Sequence, residues 1–151
     1  MVEAMNVFQD AIDGRADVAG AAGSAELSSF LYEIEQGRSS CPYHYEFVDE
    51  WLLVVAGPIA VRTPGGERVL DTGALARFPA GPAGAHKLMN HGDTPARVLM
   101  FSVNRGPAVS IYPDSNKVGV WTDGFDPEGL IFVRDAAVPW SHGEDGWDRA
   151  D

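Results

Sequence analysis

From residue 27 onward, short apolar runs alternate with turn residues, and no run holds helical spacing for long. Residues 27–35 carry Leu27, Phe30, Leu31, Tyr32 and Ile34, side chains that suit a pleated, half-buried strand. Further strands are predicted at 42–47, 50–56 and 59–63. Pro64-Gly65-Gly66 is a strong turn signal, and 67–70 returns as the second arm of a hairpin. Asp71-Thr72-Gly73 turns the chain again before a strand at 75–78. Residues 85–90 are expected to pair with 96–103 across His91-Gly92-Asp93-Thr94-Pro95. Past Asn104 the pattern loosens, with short strands at 109–112, 118–121 and 130–134 and a Gly/Asp/Pro loop at 123–129 between the last two. Short strands at close spacing, without intervening helices, indicate an all-β sandwich or barrel.

The segments flanking this region read differently. Val7, Phe8, Ala11 and Ile12 fit one or two helical turns ending near Gly14, and an edge strand at 5–8 is the alternative. Residues 16–25 are rich in Ala and Gly and read as a loop or poorly ordered connector. The expected organisation is an N-terminal extension or edge segment at 1–26, a barrel at 27–121, and a C-terminal extension at 122–151 that lays Trp140 against the barrel. No internal repeat or domain linker interrupts it.

Composition narrows the function classes. A chain of 151 residues is long enough for one domain with a sizeable core. A net charge of −11 argues against nucleic acid or an anionic membrane as partner. Part of that charge is a tail formed by Glu144, Asp145, Asp148 and Asp151. The single cysteine, Cys41, excludes an intrachain disulfide and fits a reducing compartment. No apolar run approaches membrane-spanning length, and no basic-then-hydrophobic leader opens the chain. A soluble, cytoplasmic protein is the expectation.

The candidate chemistry centres on residues 37–57, GRSSCPYHYEFVDEWLLVVAG, which read as a β-hairpin. His44 and Glu46 are two apart, so on an extended chain they share a face. Glu50 follows, just before the apolar run Trp51-Leu52-Leu53-Val54-Val55. A strand that aims polar groups inward before such a run suggests ligands placed inside a small barrel. Residues 73–90 then offer a second histidine, His86.

Gly37, His44, Glu50 and Gly57, followed by Gly73, Pro79, Gly81, His86 and Asn90, resemble the two linked motifs of the cupin superfamily. The first has six residues rather than five after its glycine, and the second has four rather than two before its histidine. The resemblance spans 27–103. Its one chemical departure is Glu46, which stands where the second histidine of His-x-His belongs. The resemblance implies a double-stranded β-helix, or jelly-roll, barrel, and a divalent metal held by His44, Glu50 and His86. Two imidazoles and a carboxylate suit Fe, Mn, Ni or Zn. Glu46 would be a fourth ligand, making the set harder and favouring Mn(II) or Fe(II), or else a general base beside the metal.

The function implied is a metal-dependent enzyme acting on a small polar molecule, dioxygenase-like or isomerase/lyase-like. A non-catalytic binding or sensing cupin is the alternative. No basic cluster near the motifs stands out for a phosphorylated substrate. A homodimer is expected, with residues 5–8 contributing. Among the remaining candidates, His91 is expected to face outward at a turn and His142 to lie in a polar tail. Cys41 reads as a small packing residue, and Tyr43, Tyr45 and Trp51 as barrel-packing aromatics.

Overall fold

The structure, a computed structural model, describes residues 4–122 and 129–144. Its strands are Arg15–Asp17 (β1), Leu27–Ile34 (β2), Tyr45–Glu46 (β3), Glu50–Ala56 (β4), Pro58–Thr63 (β5), Gly66–Asp71 (β6), Leu75–Phe78 (β7), Lys87–Met89 (β8), Ala96–Val103 (β9), Ala108–Tyr112 (β10), Lys117–Trp121 (β11) and Leu130–Val133 (β12). One short helix, Val18–Ala21 (α1), follows β1. The strands form a five-stranded sheet ordered β1-β2-β9-β4-β7, a four-stranded sheet β12-β11-β10-β3 and a three-stranded sheet β6-β5-β8. All pairings are antiparallel. The fold is all-β and jelly-roll-like.

The two smaller sheets meet at one point. His44 and His86 sit directly opposite each other and exchange both backbone hydrogen bonds, His44 N–H to the His86 carbonyl at 3.1 Å and the reverse at 2.8 Å. This bridge makes the smaller sheets one layer facing the five-stranded sheet. Between them, Leu52 and Val54 of β4 and Phe78 of β7 pack against Ile59 and Val61 of β5 and Leu88 of β8. Leu52, Ile59 and Leu88 are at most 1% exposed. Burial on that scale stabilises by roughly 1.5–3 kcal/mol for each such side chain, so this cluster holds the layers together. Among the described residues, no helix is long and apolar enough to cross a membrane.

The hairpin at Pro64-Gly65 forms as expected, with Thr63 opposite Gly66. Two other expected pairings do not form. Residues 37–57 are not a hairpin: β3 pairs with β10, whereas β4 pairs with β7 and β9 in the opposite layer. The chain crosses between layers at Val48-Asp49, where the Asp49 carboxylate accepts from the Ala80 N–H (2.9 Å) and from Arg77 (2.8 Å). Strand 42–47 shrinks to Tyr45–Glu46 beyond the His44 bridge, because Pro42 has no amide N–H to donate. Likewise β8 joins β5 and β9 joins β2 and β4, so 85–90 and 96–103 separate at the turn between them. Asn90 fixes that crossing. Its buried amide donates to the Ile34 and Thr94 carbonyls (2.7 and 2.8 Å) and its oxygen accepts from Gly92 N–H (2.8 Å).

The segment 16–25 is no loose connector. Arg15, Ala16 and Asp17 pair with Tyr32, Leu31 and Phe30, and Asp17 caps α1 by accepting from Gly20 N–H at 2.8 Å. A strand only three residues long, Arg15-Ala16-Asp17, is too short to show a period beside the Ala/Gly-rich stretch that follows it. Residues 5–8 form no strand; a turn closes there, with Asp10 N–H donating to the Asn6 carbonyl (2.9 Å). At the other end, β12 extends the sheet beside β11, and Trp140 is two-thirds exposed (66%). Most of the expected loop at 123–129, and Asp145, Asp148 and Asp151 of the acidic tail, lie outside the described residues.

Candidate metal centre

Each of the three candidate ligands reaches the site by a different local device. His44 precedes β3 and His86 precedes β8, so the bridge between them sets the two imidazoles side by side, ring centroids 4.8 Å apart. Glu50 opens β4 on the facing sheet, opposite Phe78 and Ser102. Its Oε2 lies 3.9 Å from His44 Nε2 and 3.8 Å from His86 Nε2. One ligating atom from each residue falls within 4.8 Å of the others. The centre therefore spans both layers of the barrel.

The histidine tautomers follow from backbone contacts. His44 Nδ1 is 3.0 Å from the Pro42 carbonyl and His86 Nδ1 is 2.9 Å from the Gly84 carbonyl. A carbonyl only accepts, so each Nδ1 carries the proton and each Nε2 presents a lone pair toward Glu50. Phe78 stacks on His86 at 3.8 Å with planes 10° apart, holding the ring still. Gly84, whose carbonyl faces His86 Nδ1, has no room for a side chain, since a Cβ there would collide with the Pro79 carbonyl oxygen. Gly81, at φ 84°, makes the turn that lets its N–H donate to the Glu46 carbonyl (2.7 Å).

Electrostatics favour a cation here. His86 is fully buried, and its Nε2 has no hydrogen-bond partner among the described residues. Burial pushes its pKa down to about 4, against the Gly84 hydrogen bond and with the help of nearby His44. Burial likewise lowers His44. Burial, and then the charge of Glu46, push Glu50 up to about 8. At neutral pH the His–Glu contacts are thus between neutral groups, although their distances resemble ion pairs. A buried unpaired nitrogen is costly and a carboxyl driven to hold its proton is costlier to ionise. A divalent ion relieves both, and two imidazoles with one carboxylate suit it chemically.

Glu46 lines the same cavity but is not in that cluster. Its Oε1 accepts from Ser110 Oγ at 2.8 Å. Cys41 is not simply a packing residue: it lines the cavity, with Sγ 3.5 Å from His44 Nδ1 and 3.4 Å from Ser40 Oγ. The parity rule fails for it because residues 40–42 bend rather than extend. Burial pushes its thiol up to about 11, so it stays protonated. Tyr43 is buried under the Arg62 guanidinium, Tyr45 packs edge-on to Phe47, and Trp51 stacks on Phe101. His91 is exposed, 3.5 Å from Glu67, and His142 is exposed.

The inner cavity is about 160 Å³ and opens onto a cleft of about 1000 Å³. Ser28, Phe30 and Tyr32 of β2 line it, with Met100 and Ser102 of β9. Sequence reasoning missed these residues. Their signal was the alternation of Ser28, Phe30 and Tyr32 along one strand face, which the apolar neighbours masked. Register then sets Ser28, Ser102 and Glu50 on one rung across three strands.

Residues 30–102 match the family model for the cupin domain. The chain contains a cupin domain. None of the curated proteins matches it. Among solved structures, this cupin is similar to a protein of Acidithiobacillus ferrooxidans provisionally named a sugar phosphate isomerase (21% identity, 83% of this chain and 78% of that one, TM-score 0.72). A cupin-superfamily sugar phosphate isomerase from Silicibacter pomeroyi is equally similar (26% identity, 85% and 82%, TM-score 0.72). A polyketide cyclase from Streptomyces resistomycificus shares the fold more loosely (16% identity, 62% and 67%, TM-score 0.54).

Proposed function

We propose that this cupin is a divalent-metal-dependent enzyme that moves a proton on a small polyhydroxylated carbonyl compound, an isomerase-type reaction. The observation that carries this reading is the convergence of His44 and Glu50 on the buried, unpaired Nε2 of His86. His44, Glu50 and His86 would hold the ion, which when bound supplies Lewis acidity at a carbonyl or hydroxyl oxygen. The lining supports the substrate class. The hydroxyls of Ser28, Tyr32, Ser40 and Ser102 surround a cavity of about 160 Å³ and match the hydroxyls of a short polyol. The names of the two sugar phosphate isomerases point the same way.

Glu46 is the proposed base. The Ser110 hydrogen bond orients its carboxylate, which leaves one oxygen to take the proton from the carbon beside the substrate carbonyl and return it to the neighbouring carbon. To test this, protein loaded with Mn(II) is incubated in D₂O with short aldoses and ketoses, free and phosphorylated, and followed by NMR. Deuterium should enter at the carbon beside the carbonyl. Glu46→Gln should stop the exchange while metal content stays at the wild-type level. No exchange with any of these compounds refutes the reading.

A further inference from the structure

Strand β1 does more than extend the sheet. Arg15 is the register partner of Tyr32, and partners across an antiparallel pair project to the same face. That face is the cavity face, since Ser28, Phe30 and Tyr32 all line the inner cavity. The Arg15 guanidinium lies 4.8 Å over the Phe30 ring and beside the Tyr32 hydroxyl, where its charge and hydrogen bonding offset part of the rise that burial imposes on the Tyr32 pKa. It lines the outer cleft with Arg38 and Arg105, which arrive from distant segments. Three arginines in one cleft are notable in a chain with only 11 basic residues and a net charge of −11.

None of these three arginines has a carboxylate within 4.0 Å among the described residues. The acidic side chains of the cleft do not neutralise Arg15. Glu33 projects from the opposite face of β2 and binds Arg97 at 2.6 Å, Glu46 accepts from Ser110 Oγ at 2.8 Å, and Asp13 and Glu35 are exposed. Arg15 thus keeps donors of its planar fork free, and such a fork suits an oxyanion. A phenyl ring beneath the guanidinium holds it in place without using those donors.

We infer that Arg15 anchors the oxyanion of the substrate at the cleft mouth, so that the ligand class is a short polyol ending in a phosphate or carboxylate, with its other end inside the hydroxyl-lined cavity. The inference rests on the proposed function for the polyol end and on β1 for the anionic end. A phosphate and a carboxylate offer Arg15 the same chemistry, and the test separates them.

Calorimetric titrations with ribose 5-phosphate, ribonate and ribose compare full-length wild-type protein with Arg15→Ala, Arg15→Lys and Arg68→Ala. Arg68, exposed on β6 away from the cleft, controls for net charge. At least one of the two anions should bind wild type about tenfold more tightly than ribose, and the tighter one identifies the group. Arg15→Ala should remove that preference and leave ribose affinity unchanged. Arg15→Lys should restore part of it, and Arg68→Ala should change nothing. Wild-type protein that binds neither anion more tightly than ribose overturns the inference, as does equal loss in Arg15→Ala and Arg68→Ala. Metal uptake by the same preparations, read by elemental analysis, reports on the metal centre separately, because Arg15 lies outside it.

Discussion

At pH 7 the uptake of one divalent ion should release close to one proton, and that proton should come from Glu50. With its pKa pushed up to about 8, the Glu50 carboxyl is about 0.9 protonated at pH 7 in metal-free protein. His86, pushed down to about 4, has no proton left to give, and burial lowers His44 from its ordinary range as well. Titration calorimetry in buffers of differing ionisation enthalpy counts the protons directly. The count should fall to about half at pH 8 and approach zero above it. Glu50→Gln should release none and bind the ion far more weakly. A wild-type count near zero at pH 7 would refute the reasoning, because Glu50 would then be ionised without a cation beside it.

The same groups shape the stability of the metal-free protein. Glu50's raised pKa contributes stability that is fully present below its ordinary 4.5 and is lost as pH rises through about 8. His86 has a depressed pKa, so its contribution is present above the ordinary 6.5 and is lost as pH falls toward about 4. Between 4.5 and 6.5 these two slopes cancel, and His44 tips the balance toward stability rising with pH. Above 6.5 only Glu50 acts, and from there to pH 8 the loss is about 2 kcal/mol at 1.36 kcal/mol per unit. Metal-free protein should therefore be most stable near pH 6.5 in denaturant titrations, and Glu50→Gln should flatten the alkaline limb.

Other substitutions separate the site from its frame. His86→Ala should abolish metal uptake by elemental analysis and, by emptying a packed position against Phe78, lower stability by about 2 kcal/mol in denaturant titrations. Asn90→Ala should cost roughly 2–4 kcal/mol, since it removes one buried and two part-buried hydrogen bonds, yet leave metal affinity within about twofold. Light scattering after size exclusion should give twice 16.2 kDa, with the apolar β12 edge, exposed along its whole length, and exposed Phe8 available for pairing. A monomer at every concentration would exclude the dimer.

Much of the strand content was legible because each strand has its own signature. Glu50–Ala56 and Leu75–Phe78 begin and end where apolar runs and turn residues set them. Pairing was legible only where a short turn enforces it, as at Pro64-Gly65. Elsewhere the choice of layer depends on contacts that sequence distance hides. Asp49 reaches Ala80 and Arg77, and Asn90 reaches back to Ile34. Nothing local to either crossing announces those partners. Strand β1 was illegible for the opposite reason, being only three residues long and too short to carry a period.

The site divides along the same line. His44 and His86 were marked by the resemblance to the two linked cupin motifs, and each sits where a chain segment enters its strand. Their tautomers were not, since those depend on the Pro42 and Gly84 carbonyls two residues upstream. Same-face spacing does bring Glu46 into the cavity with His44, but its strand partner is Ser110, 64 residues away, whose hydroxyl takes up Oε1. The two roles open to Glu46 can be separated by one measurement. A ligand contributes a charge to the ion, so Glu46→Gln would weaken metal affinity about as much as Glu50→Gln. A base held by Ser110 touches affinity only through its charge beside Glu50, an effect much smaller than the loss of a ligand. Calorimetric metal titration of Glu46→Gln at pH 6 and pH 8 should match wild type apart from the altered proton count. At each pH that count should be lower than in wild type, because loss of the Glu46 charge removes one of the two influences that raise the Glu50 pKa and leaves Glu50 more ionised before the ion arrives. An affinity drop comparable to that of Glu50→Gln would return Glu46 to the metal.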